Sequence, residues 1–522
     1  MRLKEIVLDG CSLTVEELVS VARKEIKVRA ATSALRKVER ARSLVEKLVS
    51  ERRIVYGIDT GFGPMCNTII APENILELQK NIILSHSSGV GDFLPTDAVR
   101  ATMLLRANVL ARGNSGVRPG TIKTLIDMVN RRIHPRIPEI GSVGASGDLV
   151  PLAHVALAMM GKGECEFNGR VKRSSSALKE AGVDAWTPSY KEGLAMINGT
   201  SATTAVAALA IHDMGNLVKT YEIAAALSME ALTGIVDALD AQIHRLKPHP
   251  GQIESAANMR KLLRGSRLVK TREKIVGESA VEQRRIQDSY SLRCSPQVAG
   301  ACRDALRFVR KIVETEMNSV TDNPIMTEDG RVLHGGNFLG QHVALAMDVL
   351  AIAATELGVI SERRLARLLD RSLSEGLPEF LVHEQPGVNS GLMGLQYVAT
   401  SLVAECKNLS TPVSIDSIPT NANNQDVVSM GWYAARRTRS VIENLMRIIS
   451  VELLSAAQGV EFRDPSKMGR GTSIAYKEIR KIVPTLLEDR PLSSDLQRVV
   501  EFVSGGHPVQ AVEKALGPLR HA

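Results

Sequence analysis

Apolar residues return at three- and four-residue intervals through most of this 522-residue chain. That is the spacing of an amphipathic helix face, not the period-two alternation of a strand. Near the start, Leu3 to Leu8 reads as a short strand, and Thr14 to Lys24 and Ser33 to Ser50 as helices. Thr14 with Glu17 fits a capping box. Helical spacing resumes over Pro72 to Ser85 and Thr96 to Leu110. Residues 162–190 lose it, with a short hairpin expected around Asn168-Gly169. Beyond Asn198 the spacing predicts long helices over Ser201 to Ala241, Ser295 to Val320, Gln341 to Leu373, Gly391 to Lys407 and Asp426 to Gly459. The first is apolar round much of its circumference and so is expected at the centre. The pattern predicts a mainly α fold: a mixed N-terminal region over 1–200, then a long-helix bundle with C-terminal helices over 201–522, together one integrated unit.

Composition narrows the class. Aromatics make up only 3% of the chain, which favours helix packing over a β-rich build. The formal charge of +8 is scattered; its densest groups, Arg436-Arg437-Arg439 and Arg363-Arg364-Arg367, lack the interleaved aromatics on which bases stack. They read as solvated helix faces, so no nucleic-acid partner is expected, while a positive field suits a small anionic substrate. The six cysteines are spread without a CxxC pair, so no metal site or disulfide framework is expected. Arg2-Leu3-Lys4-Glu5 is too polar to open a signal peptide, and no uncharged apolar run approaches the ~18 residues of a membrane span. A cytoplasmic protein with no membrane partner is the expectation.

Chemistry concentrates in Gly141-Ser-Val-Gly-Ala-Ser-Gly-Asp-Leu149. Its Ala145-Ser146-Gly147 core admits two readings. One is a simple turn of small residues. In the other, the Gly147 nitrogen attacks the Ala145 carbonyl and loss of water closes a five-membered ring; a second dehydration, at Ser146, leaves an exocyclic methylidene. Further polar clusters end apolar segments: Tyr56, Ser85-His86, Asn198-Gly199, Gln287 to Arg293, Asn337-Phe338 and Asn424-Gln425. Buried amides need partners, so such clusters bond each other or face a ligand. Taken singly, Tyr56 also suits a core tyrosine, His86 a helix cap, Arg293 an ion pair and Asn198-Gly199 a turn. Neither a nucleophile elbow nor a phosphate-binding loop is present.

In combination the motifs resemble the ammonia-lyases and aminomutases that act on histidine, phenylalanine and tyrosine through a 4-methylidene-imidazol-5-one (MIO) group. The resemblance runs from about Leu8 to Pro484. It rests on Tyr56-Gly-Ile-Asp-Thr-Gly-Phe-Gly63, Gly141 to Leu149, Ile197-Asn-Gly-Thr-Ser201, Gln287-Asp-Ser-Tyr-Ser-Leu-Arg293, His334-Gly-Gly-Asn-Phe338 and Asn424-Gln-Asp-Val-Val-Ser-Met430. It implies that family's long-helix fold, a homotetramer whose active sites each draw on three chains, and an MIO group formed from Ala145-Ser146-Gly147. The group would capture the substrate amine. By the same resemblance Tyr56 is the base that removes the β-proton, needing a pKa well below ~10 that a positive surrounding would provide. Arg293 would clamp the substrate carboxylate. Asn198, Gln287 and Tyr290 would polarise the ring or assist at the amine, with Leu149, Asn337, Phe338 and Asn424 close by.

The substrate reading turns on the side-chain pocket. Ser85-His86 hydrogen-bonds either a phenol or an imidazole. Gln425 replaces the glutamate usual in histidine lyases, and His334 to His342 looks more like the tyrosine enzymes. The expectation is therefore an aromatic substrate, tyrosine first, giving coumarate or, by a 2,3-amine shift, a β-amino acid. A histidine ammonia-lyase giving urocanate is the alternative, and an inactive helical scaffold the remote one. Asp59 stands where Asn or Thr is usual, without an interpretation.

Overall fold

A computed structural model describes residues 5–278 and 286–521 of the chain. Among them are twenty α-helices, and no strand exceeds four residues, so the mainly α expectation holds. Thr14 caps helix Val15–Lys24 through both bonds of the predicted capping box. The expected hairpin pairs Glu164–Phe167 with Arg170–Arg173. Its two-residue turn puts Asn168 at φ 51° and Gly169 at φ 70°, the double positive φ that matches strand twist.

The long helices expected beyond Asn198 are found as Ser201–Ala231, Ser295–Met317, Gln341–Leu369, Met393–Leu409 and Gly431–Glu461. The first stops ten residues before the apolar period does. Thr233 turns left-handed at φ 48°, and the Gly234 amide donates to the Met229 carbonyl at 2.7 Å, a Schellman closure. The apolar residues beyond it form a separate short turn, Val236–Leu239. Helix Gln341–Leu369 is long and apolar enough to cross a membrane by composition; 61% of its most apolar window is buried within the protein, as in a core helix.

The chain forms two compact units, each built from three separated stretches. One unit comprises Met1–His212, Val309–Asp348 and Pro412–Arg436. It contains the parallel pair Glu5–Leu8 with Lys27–Ala30, and the helices Ile75–His86, Leu149–Met159 and Glu192–Ile197 that carry candidate site residues. A cluster of Ala41, Val45 and Leu48 from helix Thr32–Ser50 packs with Val55, Ile58 and Met326. Burying Val55 and Ile58 on both sides of Tyr56 anchors the loop that carries it, at about 1.5–3 kcal/mol per side chain.

The other unit comprises Asp213–Phe308, Val349–Thr411 and Arg437–Ala522. Its apolar interior encloses two fully buried ion pairs, Arg303–Glu222 at 2.8 Å and Arg364–Glu452 at 2.6 Å. Ser228, Ser361 and Tyr221 complete the hydrogen bonding around the second. A buried charge is tolerated only with such partners, so these contacts fix which helix faces meet.

Candidate functional site

The Ala145-Ser146-Gly147 tripeptide sits in a tightly bonded turn. Gly144, Ser146 and Gly147 all lie left-handed, at φ 75°, 49° and 76°. For Ser146 that conformation is strained, costing of order 1 kcal/mol. The turn is held from several directions. Gly199 N donates to Ser146 O at 3.1 Å, Asp148 N to Gly199 O at 2.8 Å, and Met430 N to Val143 O at 2.9 Å. Ser142 Oγ accepts from Gly144 N and donates to Gly147 O. A Cβ on Gly147 would overlap the Gly199 backbone, and one on Gly144 would overlap Ser429 Oγ. Glycine is therefore required at both positions. These residues fit a ring closed from the Gly147 nitrogen onto Ala145: the bend is preset, and the Ser146 hydroxyl is held by Gln425 Nε2 at 3.1 Å.

Charge behind the turn is buried and meets polar partners, although Arg106 Nε has none among the described residues. Asp148 accepts from Thr203 N at 2.7 Å and Thr203 Oγ1 at 2.6 Å. Burial pushes its carboxyl up to about 6, against those hydrogen bonds. Arg106 is also fully buried, and desolvation lowers it to about 10. Its guanidinium donates to Asn198 O at 2.9 Å and to Ala195 O. The Asn198 side chain donates through Nδ2 to Asp322 Oδ1 at 2.9 Å.

A cavity of about 900 Å³ opens over this turn. It gathers Tyr56, Ser85, His86, Ala145, Ser146, Leu149, Asn198, Phe338, Asn424 and Gln425 from segments far apart in sequence, and Gly147 is buried beside it. Tyr56 is set by its loop: Gln79 Nε2 donates to Gly57 O at 3.1 Å, and Gly63 N donates to the Tyr56 hydroxyl at 3.3 Å. Asp59, uninterpreted in the sequence, closes the same loop by accepting from Val55 N at 2.7 Å. Phe62 and His334 stand edge-on to the phenol, with ring centroids 6.4 and 6.2 Å away. The expected lowering of the Tyr56 pKa is not found within one chain. Burial holds it above the ordinary 10.0, and the nearby Cys66 and Asp322 add to that rise, opposed by the Gly63 hydrogen bond.

The Ser85-His86 pair ends helix Ile75–His86. His86 Nδ1 lies 2.9 Å from Ile82 O and 3.1 Å from Ser85 Oγ. A carbonyl only accepts, so the proton is assigned to Nδ1, and Nε2 is left as an acceptor. Burial lowers the ring below 6.5, so it is neutral at pH 7. A pocket-lining acceptor of this kind suits a substrate ring that carries an N–H or O–H.

The remaining expected residues do not line this cavity. Gln287, Tyr290 and Arg293 belong to the other unit, and Asn337 is exposed on its loop. Tyr290 is 71% exposed, with the Arg293 guanidinium 4.7 Å over its ring. Arg293 Nε is buried without a hydrogen-bond partner among the described residues. Motif reading passed over Asp322, Lys191 and Arg106, which sit behind the cavity wall; Thr321-Asp-Asn-Pro324 reads in sequence only as an interhelical loop. Among the described residues no group of three or more His, Cys, Asp or Glu is placed to hold a metal ion.

The family profile described as aromatic amino acid lyase matches residues 13–481. Histidine ammonia-lyase of Alkaliphilus metalliredigens is 47% identical over 518 residues, covering 99% of this chain and all of that protein. Histidine ammonia-lyase of Caldanaerobacter subterraneus subsp. tengcongensis is 46% identical over 505 residues, 97% of each chain. A crystal structure of tyrosine aminomutase from Streptomyces globisporus superposes with a TM-score of 0.95 at 39% identity, covering 98% of both chains. The higher, full-length identity to histidine enzymes overturns the tyrosine-first expectation. The geometry explains why its main argument misled. Gln425 is engaged with Ser146 Oγ and with Thr420 Oγ1, which donates to its Oε1 at 2.8 Å, so its amide reports on the tripeptide. His334 likewise stands against Tyr56.

Proposed function

The chain belongs to the aromatic amino acid lyases and is a carbon–nitrogen lyase, and from that membership we propose that it eliminates ammonia from L-histidine to give urocanate. The observation that carries the substrate is the 46–47% identity, over nearly the whole chain, to proteins named histidine ammonia-lyase. The unshared acceptor of His86 fits it, since an imidazole N–H, like a phenol O–H, can donate there, whereas a plain phenyl ring cannot.

In this reading the Ala145-Ser146-Gly147 turn matures into MIO, which when formed supplies an electrophile for the substrate amine. The chain's own residues do the rest. Tyr56 removes the β-proton, and Asn198 receives the amine. Ser85 and His86 hold the ring, with Leu149 and Phe338 closing apolar contacts around it and Asn424 at the rim. The phenol of Tyr56 needs a cation, and among the described residues no Lys or Arg lines this pocket. We therefore assign Gln287, Tyr290 and Arg293 to a second copy in a homotetramer, where Arg293 clamps the substrate carboxylate and its charge favours the Tyr56 phenolate.

Separate incubations with L-histidine, L-tyrosine and L-phenylalanine test the reading. Ultraviolet absorbance reports urocanate, coumarate or cinnamate, and chromatography any β-amino acid. Urocanate as the dominant product is expected. Coumarate, cinnamate or a β-amino acid in its place would overturn the assignment.

A further inference from the structure

Behind the pocket wall lies a carboxylate that the mechanism above does not use. Asp322 and Lys191 form an ion pair at 2.8 Å with both side chains fully buried. The Asp322 Oδ1 atom accepts from Asn198 Nδ2 at 2.9 Å and from the Asn323 backbone at 2.7 Å. The network extends along the wall, since Asn323 Oδ1 accepts from Gly335 N at 2.9 Å, at the head of the loop that carries Phe338.

The ion pair dictates an orientation, and the Asn323 carbonyl, 3.4 Å from the same Asn198 nitrogen, reinforces it. A carboxylate paired with an ammonium can only accept, so the Asn198 atom facing it must be the amino nitrogen. The carbonyl oxygen of the amide then has no hydrogen-bond partner among the described residues, and Asn198 lines the cavity. Turned the other way, the amide would present N–H groups to a substrate ammonium, donor against donor.

We propose that Asp322, held by Lys191, is a positioning residue that locks Asn198 with its carbonyl oxygen towards the substrate, as the acceptor for the amine N–H. The inference rests on the reading of this cavity as an amino-acid ammonia-lyase site and adds how the amine is received there. Lys191 is placed for the task by its own backbone: left-handed at φ 68°, it opens the buried helix Glu192–Ile197 that ends at Asn198.

The test is a binding comparison in the Ser146→Ala enzyme, in which L-histidine binds without turnover. Titration calorimetry would measure L-histidine against 3-(imidazol-4-yl)propionate, which has the same ring and carboxylate but no amine. Two double variants are compared with the Ser146→Ala parent. Asp322→Leu/Lys191→Met removes the carboxylate acceptor together with both charges, so no lone charge stays buried, and leaves the longer 3.4 Å contact to the Asn323 carbonyl. Asp322→Asn/Lys191→Met keeps an acceptor at 322 that no longer dictates which amide atom faces it, so the orientation is biased by the longer Asn323 carbonyl contact. The leucine variant should weaken L-histidine by about tenfold, the scale of one lost charge-assisted hydrogen bond, and leave the amine-free acid within twofold. The asparagine variant should fall between. Equal losses for both ligands, or none for either, would overturn the proposal. If the leucine variant does not assemble, the asparagine variant decides by the same split. Turnover by the wild-type enzyme judges the histidine reading separately. Should a different amino acid be turned over, that amino acid and its amine-free saturated acid become the ligand pair, and the same outcomes decide.

Discussion

The turn around Ser146 and the segment around Arg293 both carry polar groups expected at one reaction centre, yet they are finished to different degrees. Around Ser146 each buried charge meets polar partners: Asp148 has Thr203, Asp322 has Lys191 and Asn198, and Arg106 has two carbonyls, although its Nε has no hydrogen-bond partner among the described residues. Around Arg293, Tyr290 stands exposed, and the guanidinium lies over its ring with Nε buried and without a hydrogen-bond partner among the described residues. The first region is thus closely bonded among the described residues of one chain, whereas the second is open, as the proposed completion by a second copy requires.

The sharpest way to break that contrast is at its centre. Ser146→Ala should lower turnover at least about 1,000-fold, the scale of removing a group that acts on the reacting atoms. Its intact mass should also lack the loss of two waters expected of a matured chain; full unmodified mass in an active wild-type enzyme would refute maturation. Arg293→Lys keeps the charge but loses the planar fork, and should cost about 100-fold in kcat/KM with little change in Tm. Co-expressing this variant with Ser146→Ala should restore part of the activity, because under the proposed shared sites mixed oligomers would build some sites from the intact half of each. No recovery would place Arg293 and Ser146 in the same chain's site.

His86→Leu removes the ring acceptor and should lower kcat/KM for L-histidine by about 10–100-fold. It should spare any trace rate on L-phenylalanine, whose ring has nothing to donate. The pH profile sharpens this test. Protonating Nε2 turns an acceptor into a donor, so the wild type should lose activity on acidification with a midpoint below 6.5, and His86→Leu should not show that limb.

The smallest effect concerns stability. Burial raises Asp148 from 3.8 to about 6, so the folded state binds the proton more tightly than the unfolded state. Its contribution is complete below pH 3.8 and is lost as pH rises through about 6, to the extent of about 3 kcal/mol. Asp148→Asn has no such titration. Relative to it, the wild type should lose stability between pH 4 and pH 7 in denaturant midpoints; parallel curves would show that Asp148 keeps an ordinary carboxylate pKa.

What could be read from the sequence follows from how local each signal is. The Thr14 capping box and the Asn168-Gly169 turn depend on a few adjacent residues, and both form as expected. The end of helix Ser201–Ala231 did not show, because the apolar period runs on past a closure made by Thr233 and Gly234. At the site, glycine spacing exposed the Ser146 turn. The Lys191–Asp322 pair spans 131 residues and belongs to no motif, so only folding brings it into view. Gln425 shows the remaining limit: its identity suggested a preference for a ring, whereas its contacts show an amide in use at the tripeptide.

The bond between Gln425 and Ser146 joins residues 279 positions apart. The bend that prepares the tripeptide for closure is likewise braced by Gly199, Ser429 and Met430, all distant in sequence. Under the proposed maturation, a nascent or misassembled chain therefore carries an inert serine, and the electrophile arises only after the far ends of the fold have met. The mass of the protein then becomes a record of its folding history. Two missing waters certify that a given molecule once reached its native arrangement, whatever state it is in when weighed.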